Sequence, residues 1–328
     1  MALIAGVAVA AFALQGCASG GPDGEGDASS YPGGPINYVV PYNPGGSTDP
    51  VGREFSRLLA EELGTTAVVE NLPGGDETIG LTAVMRSPAD GQSMGLSSAT
   101  GIIVQPLVNE SLPFQGPDDY TAVVKMVEAP NAIFVAADSP LQTFDDFVDA
   151  ATADPGGMSV GTTGRLTNNT FVLVSIEDQL GIDLNIVPFS GGAGEAVLAT
   201  LSGEVDAVIP TAAGQLGLVE SGELRPLVHT GPAEYDEVLP GAVSFTSLEL
   251  DVPFSSDYVT VAAPGLPEDV QERLVEAAYA VASSEEWAEW CAGVGFLSDP
   301  MMGEELDEWI AAVTEASREA IALVEATE

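Results

Sequence analysis

After residue 30 the chain alternates short apolar runs with longer stretches in which apolar residues recur three and four positions apart. The runs are Ile36–Val40, Ala67–Val69, Met94–Leu96, Ala122–Val127, Ala132–Ala137, Met158–Val160, Leu184–Val187, Val205–Ile209, Arg225–Val228 and Tyr258–Ala262. Their length and β-branched content predict strands. Val51, Phe55, Leu58, Leu59 and Leu63 recur at helical spacing, with Gly64 as the stop. Thr143–Ala153 and Asn168–Leu180, the latter ended by Gly181, read as further amphipathic helices. One more helix starts at Pro267 with Val270, Leu274 and Ala277 on one face, and the last begins near Glu304. Such alternation predicts an α/β protein with parallel-rich sheets covered by helices. No internal repeat with a period of roughly 20–50 residues is visible.

The first strand leads into Pro41 and Pro44-Gly45-Gly46, then Ser47, Thr48 and Asp49, each able to cap a helix, with Pro50 suited to its first turn. A strand running through glycines into a helix start makes a concave anion site, because free N–H groups and the positive end of the helix dipole point at one spot. A plain βα turn without a ligand has the same pattern. The loop is not a nucleotide P-loop, since G-x-x-x-x-G-K-[ST] is absent and no lysine lies near it. Nor does it carry G-x-G-x-x-G. In open α/β sheets ligands sit beyond the carboxyl ends of strands. Three loops satisfy that rule: Tyr42 to Asp49, Gly161 to Asn169 and Ser190 to Gly194.

Composition narrows the function classes. Eight cationic residues, with Lys125 the single lysine, face 50 acidic ones, for a net charge of −42. Nucleic acid is thereby excluded as a partner, because phosphate contacts need clustered cations. At 45% hydrophobic residues the chain is too apolar to be disordered by charge. Glu61-Glu62, Asp145-Asp146, Glu285-Glu286 and Glu304-Glu305 read as solvated helix faces. So acidic a surface suits a halophilic or salt-tolerant setting, where screening removes self-repulsion. One histidine, His229, and two cysteines cannot build a usual transition-metal site, so no metal or other cofactor is expected.

Residues 1–14 form an apolar stretch too short to span a bilayer, followed by Leu14-Gln15-Gly16-Cys17. The stretch reads as a signal peptide over 1–16, with Cys17 as a lipidated residue. The basic n-region is missing, so the translation start is open. The alternative is an ordinary cleaved signal in which Cys17 is incidental. Residues 17–30 are glycine-rich and acidic, as a flexible tether from membrane to folded body would be. If Cys17 carries lipid, Cys291 has no disulfide partner; beside Trp287 and Trp290 it reads as a buried structural thiol.

The segment Tyr31 to Asp49, Y-P-G-G-P-I-N-Y-V-V-P-Y-N-P-G-G-S-T-D, resembles the opening of the tripartite tricarboxylate transporter receptors, the TctC or Bug family of extracytoplasmic solute-binding proteins. The likeness continues through V-V-E-N-L-P-G-G (68–75), S-P-A-D-G (87–91), D-P-G-G-M-S-V-G (154–161), P-F-S-G-G-A-G-E-A-V-L-A-T-L-S-G-E-V-D-A (188–207), G-E-L-R-P-L (222–227) and A-P-G-L-P (263–267). No single motif is specific; the ordered set is. The resemblance implies a two-lobed type II periplasmic-binding-protein fold, each lobe a mixed sheet covered by helices. Residues 31–130 would open lobe 1, 131–250 would form lobe 2, and 251–328 would return to lobe 1. It also implies an extracytoplasmic receptor, lipid-anchored or periplasmic, that binds a small carboxylate between the lobes and delivers it to membrane subunits of the tripartite transporter.

On this likeness the first loop, Tyr42, Gly45, Gly46, Ser47, Thr48 and Asp49, contacts a ligand carboxylate from one lobe. Thr162, Thr163, Arg165, Asn168 and Asn169 of the second loop, with Ser190, Gly191 and Gly192 of the third, close over it. The second loop departs from the family pattern: relatives often carry a histidine near 168–169, where this chain has two asparagines, and it adds Arg165, whose guanidinium can grip a carboxylate through two parallel bonds. Asp206 follows a family position with either a ligand or a structural role. Two other readings remain: a binding protein serving a signalling partner, and a hydrolase. Ser47 and His229 with an acid would be needed for the latter, but no G-x-S-x-G elbow exists.

Overall fold

The computed structural model describes residues 31–326; the expected signal peptide, tether and Cys17 lie outside the described residues. The first passage of chain lays down β1 (Ile36–Val40), α1 (Thr48–Glu62), β2 (Ala67–Asn71), α2 (Thr78–Met85), β3 (Ser93–Ser98), a π-type turn over 100–104, the short α3 (Gln105–Val108) and β4 (Thr121–Glu128). The second passage is β5 (Ala132–Ala136), α4 (Phe144–Ala153), β6 (Ser159–Thr162), α5 (Asn168–Leu180), β7 (Asn185–Pro188), α6 (Ala193–Ser202), β8 (Ala207–Val208), α7 (Leu216–Glu220), β9 (Leu224–His229) and β10 (Val243–Ser244). The return adds β11 (Tyr258–Ala262), α8 (Glu268–Ala282), α9 (Glu285–Gly293), β12 (Leu297–Met301) and α10 (Gly303–Ala326).

Two six-stranded sheets result, ordered β12-β4-β11-β3-β1-β2 and β10-β9-β5-β8-β6-β7. Each is mixed. In the first, β1 runs parallel to β2 and β3, while β11 is antiparallel to β3 and β4. In the second, β6 runs parallel to β7 and β8, while β5 is antiparallel to β8 and β9. Side chains alternate between two packed faces, as the pleat requires. Tyr258 and Ala262 of β11 join Phe55, Leu274 and Trp287 on one face; Val259 and Val261 join Leu81, Ile102 and Ile310 on the other. In β5, Ile133 and Val135 face Phe147 and Phe171, while Ala132 and Phe134 face Ala196 and Tyr235.

The lobes are stitched where the chain crosses. Ser256 N–H donates to the Ala129 carbonyl at 2.9 Å. Asn131, fully buried, accepts from Ser256 Oγ (2.9 Å) and from Asn169 Nδ2 (3.1 Å). The last helix differs from expectation. Leu306, Ile310 and Val313 of α10 pack in the first lobe, but Ala320 and Val324 belong to the core of the second. Its apolar stripe is long enough to clamp both lobes rather than to rejoin one. Cys291 is buried in the first core, where burial pushes its thiol up to about 12. No helix among the described residues is long and apolar enough to cross a membrane.

Candidate functional site

Parallel β1, β2 and β3 end on the same side of their sheet, and β6 and β7 end on the facing side of the other. The loops after these strands enclose a cavity of about 490 Å3 between the lobes. Residues at the starts of four helices line it: Ser47 and Thr48 of α1, Glu77 before α2, Thr167 and Asn169 of α5, and Gly192 and Ala193 of α6. A helix start carries N–H groups without intrahelical partners and a partial positive charge, so this convergence favours an anionic group without any cationic side chain.

Of the expected site residues, Tyr42, Gly46, Ser47, Thr48, Thr163, Asn169, Ser190, Gly191 and Gly192 are brought together on the cavity wall. Ser47 stands at the start of α1 and makes no side-chain capping bond. Thr48 Oγ1 and the Tyr258 hydroxyl lie 2.8 Å apart, joining the first loop to β11. Asn169 lines the cavity, but its amide is engaged in the fold: it accepts from Thr163 Oγ1 at 2.7 Å and donates to the Ile209 carbonyl at 2.8 Å.

The remaining expected residues sit behind the wall or away from it. Gly45 and Asp49 brace the loop: Asp49, 5% exposed, accepts from Gly45 N–H (3.1 Å), Arg53 Nε (3.0 Å) and Asn71 Nδ2 (2.8 Å). Burial alone would raise its carboxyl, yet the bonds from Arg53, Asn71 and Gly45 hold it below its ordinary value. Thr162 is buried and donates to the Gly164 carbonyl at 2.9 Å. Asn168 donates to the Ser255 carbonyl at 2.7 Å, tying α5 to the return crossing. The Arg165 side chain is exposed and does not line the cavity, because the loop turns its neighbours Thr163 and Thr167 inward instead. Asp206 lies at the far end of β6 from Thr162, where its carboxylate accepts from Ser159 N–H at 2.8 Å; its place is structural. His229 is buried in lobe 2 with Asp236 at 2.8 Å and does not share the wall with Ser47, so no triad forms.

Sequence reading missed Glu77, Ser98, Gln215, Ser256 and Tyr258, all on the wall. The carboxyl-end rule, applied to β2 and β3 as it was to β1, would have found the first two. Tyr258 begins an antiparallel strand, so its start, not its end, reaches the cleft. Glu77 is the most unusual. It is 5% exposed, holds a left-handed φ of 76°, and follows Asp76 at φ 47°. Non-glycine residues seldom adopt this region. Its carboxylate accepts from the Tyr42 hydroxyl (2.6 Å), Ser98 N–H (2.8 Å), Ser97 Oγ (3.1 Å) and Ser98 Oγ. Burial pushes the Glu77 carboxyl above its ordinary value, and those hydrogen bonds oppose the push. Burial, with Glu77 alongside, also keeps the Tyr42 phenol well above its usual range, so it remains a donor.

A protein encoded in the tcbD-tcbE intergenic region of Pseudomonas sp. (strain P51) is 30% identical over 198 residues, 60% of this chain and 58% of that protein. An R. palustris protein solved with adipate superposes with a TM-score of 0.78 at 20% identity, covering 90% of this chain and 98% of that one. MatC from Rhodopseudomonas palustris, solved with bound malate, gives 0.69 at 21% identity over 90% and 99%. The two structural likenesses show the fold. The profile of the tripartite tricarboxylate transporter family receptor matches residues 51–325, and with that span the chain belongs to this family of solute-binding receptors, not to an enzyme class.

Proposed function

We propose that the protein is an extracytoplasmic receptor that binds a small organic acid in the interlobe cleft and hands it to membrane subunits of a tripartite tricarboxylate transporter. The observation that carries this reading is the convergence of four helix starts on one polar cavity. The ligand carboxylate would take backbone N–H groups of Ser47 and Thr48 from lobe 1 and of Ala193, at the start of α6, from lobe 2; the Gly191 and Gly192 N–H groups are already given to Glu195 and to the Phe189 carbonyl. Ser47 Oγ and Ser190 Oγ supply further donors, while the Thr163 hydroxyl is given to Asn169. Relatives in fold solved with adipate and malate support an organic acid as the ligand class. Cys17 would hold the receptor to the membrane by lipid, and the acidic composition suits concentrated salt.

The test is a thermal-shift and calorimetric screen of organic acids in high salt, with each binder followed for chemical turnover. Stabilisation without product supports a receptor, since a ligand that binds only the folded state raises its melting point. Product formation, or stabilisation only by compounds lacking a carboxylate, would overturn it. For the anchor, Cys17→Ser should release the protein from membranes; retention with normal processing would refute lipidation.

A further inference from the structure

The cavity wall holds acid but no base. Pro73 to Glu77 contribute Asp76 and Glu77, and among the described residues no lysine, arginine or histidine lines the cavity. No carboxylate–cation pair is found for Glu77 among the described residues, where Lys125, Arg53 and Arg57 are engaged with other acids. The Glu77 group is nonetheless built in. Both carboxylate oxygens receive donors: Oε1 from Tyr42 and Ser98 Oγ, Oε2 from Ser98 N–H and Ser97 Oγ. Glu77 also stands at the start of α2, whose dipole favours a negative charge there. Neutral donors and a dipole hold the anion without cancelling its charge. A buried charge lacking a counterion is costly; it is relieved either by taking up a proton, the direction in which burial pushes Glu77, or by a cation from whatever fills the cavity.

Two or three ligand carboxylates would meet this wall badly. One carboxylate can take the N–H groups at the starts of α1 and α6; a second would sit in a cavity already holding Glu77. We propose that the cleft is built for a zwitterion, an amino acid or similar ligand whose carboxylate lies against Ser47, Thr48 and Gly192 and whose ammonium faces Glu77, with Glu77 as the residue that selects it. This rests on the cleft being a carboxylate receptor and adds the ligand's second charge. Strain fits the same picture: two successive left-handed residues, Asp76 and Glu77, line the cavity, and such conformations gather at ligand sites.

Pairs of ligands differing only in the end group test it directly: β-alanine against succinate, and γ-aminobutyrate against glutarate, with glycine and alanine for the α-amino class. Titration calorimetry on the parent should give at least one amino acid bound tenfold or more tighter than any dicarboxylate. Glu77→Gln, checked for folding by its melting curve, should weaken that amino acid at least tenfold and leave or improve the dicarboxylates. A parent that prefers the dicarboxylates, or a folded Glu77→Gln that keeps the amino acid at full affinity, overturns the zwitterion while the carboxylate receptor stands. If cationic amines without a carboxylate bind and no carboxylate of either kind does, the receptor reading itself falls, and this inference with it. The parent comparison decides even if the variant does not fold.

Discussion

The Tyr42 hydroxyl donates a 2.6 Å hydrogen bond to Glu77 Oε1, joining the loop after β1 to the loop after β2 across the cavity wall. A bond to a charged group contributes roughly 1.5–3 kcal/mol, and leaving the acceptor buried without it costs a similar amount. Tyr42→Phe should therefore lower the urea midpoint by a stability loss of about 1–3 kcal/mol. It should also weaken ligand binding several-fold, because Glu77 loses the donor that aims it. Unchanged values in both measurements would mean that the pair is not formed in solution.

Gly46 offers a cleaner probe of the cleft than its neighbour. Gly45 holds a φ of +83°, where any side chain is strained, whereas a Cβ on Gly46 would meet only the Asn43 carbonyl, at an ordinary 3.6 Å. Gly46→Val should fold with a melting point close to the parent's while its branched side chain occupies the cavity wall. Calorimetry should then show binding weakened by about two orders of magnitude, on the order of 3 kcal/mol. Parent-like affinity in a folded variant would place the ligand elsewhere.

A second cluster governs stability near the crossing between lobes. Lys125, 2% exposed, pairs with Asp257 at 3.1 Å and with Asp299. Lys125→Met strands both carboxylates, and breaking a buried pair from one side costs about 3–5 kcal/mol. Glu128 stands close by. Burial, with the charges of Asp257 and Asp299 and against that of Lys125, raises its carboxyl from 4.5 to about 7. The folded chain thus holds this proton more tightly than the unfolded chain. The parent loses stability from this group as pH rises from 4.5 to 7, and the loss then persists above 7. Glu128→Gln should be the more stable protein above pH 7, by up to about 3 kcal/mol, and should match the parent below about pH 4.5. Melting curves of both proteins across pH measure the difference; a constant offset would show that Glu128 does not titrate this way.

Much of the architecture was legible because the periodicities were strong. Asn168–Leu180 emerged as α5 with Gly181 in the left-handed conformation that ends it, and Thr143 caps α4 through a reciprocal bond with Asp146. The strands that escaped notice have physical reasons. β12, Leu297–Met301, contains Asp299 and Pro300 and is tolerated because it lies at the sheet edge with a register shift. β10 is two residues long. The site was half legible. Backbone-rich loops after β1, β6 and β7 announce themselves by glycine, but Ser256 and Tyr258 reach the cavity only because the chain returns antiparallel. The inward turn of Thr163 and Thr167, which leaves Arg165 outside, depends on loop geometry that no spacing encodes.

Salt separates the ligand classes through rate rather than affinity. With a net charge of −42, the chain presents an approaching dianion with a repulsive field that extends over a Debye length of about 10 Å at 0.1 M salt and about 3 Å at 1 M. A zwitterion has no net charge, so the field acts only on its dipole. Glutarate and γ-aminobutyrate are nearly the same size, so diffusion treats them alike. Between about 0.05 and 1 M salt the association rate of a dicarboxylate should rise by roughly tenfold or more, whereas that of the amino acid should change less than about twofold. Stopped-flow mixing of both ligands with the parent protein measures this. Equal salt dependence for the two would mean that the field at the cleft mouth is already cancelled, and the acidic residues would then have no part in ligand entry.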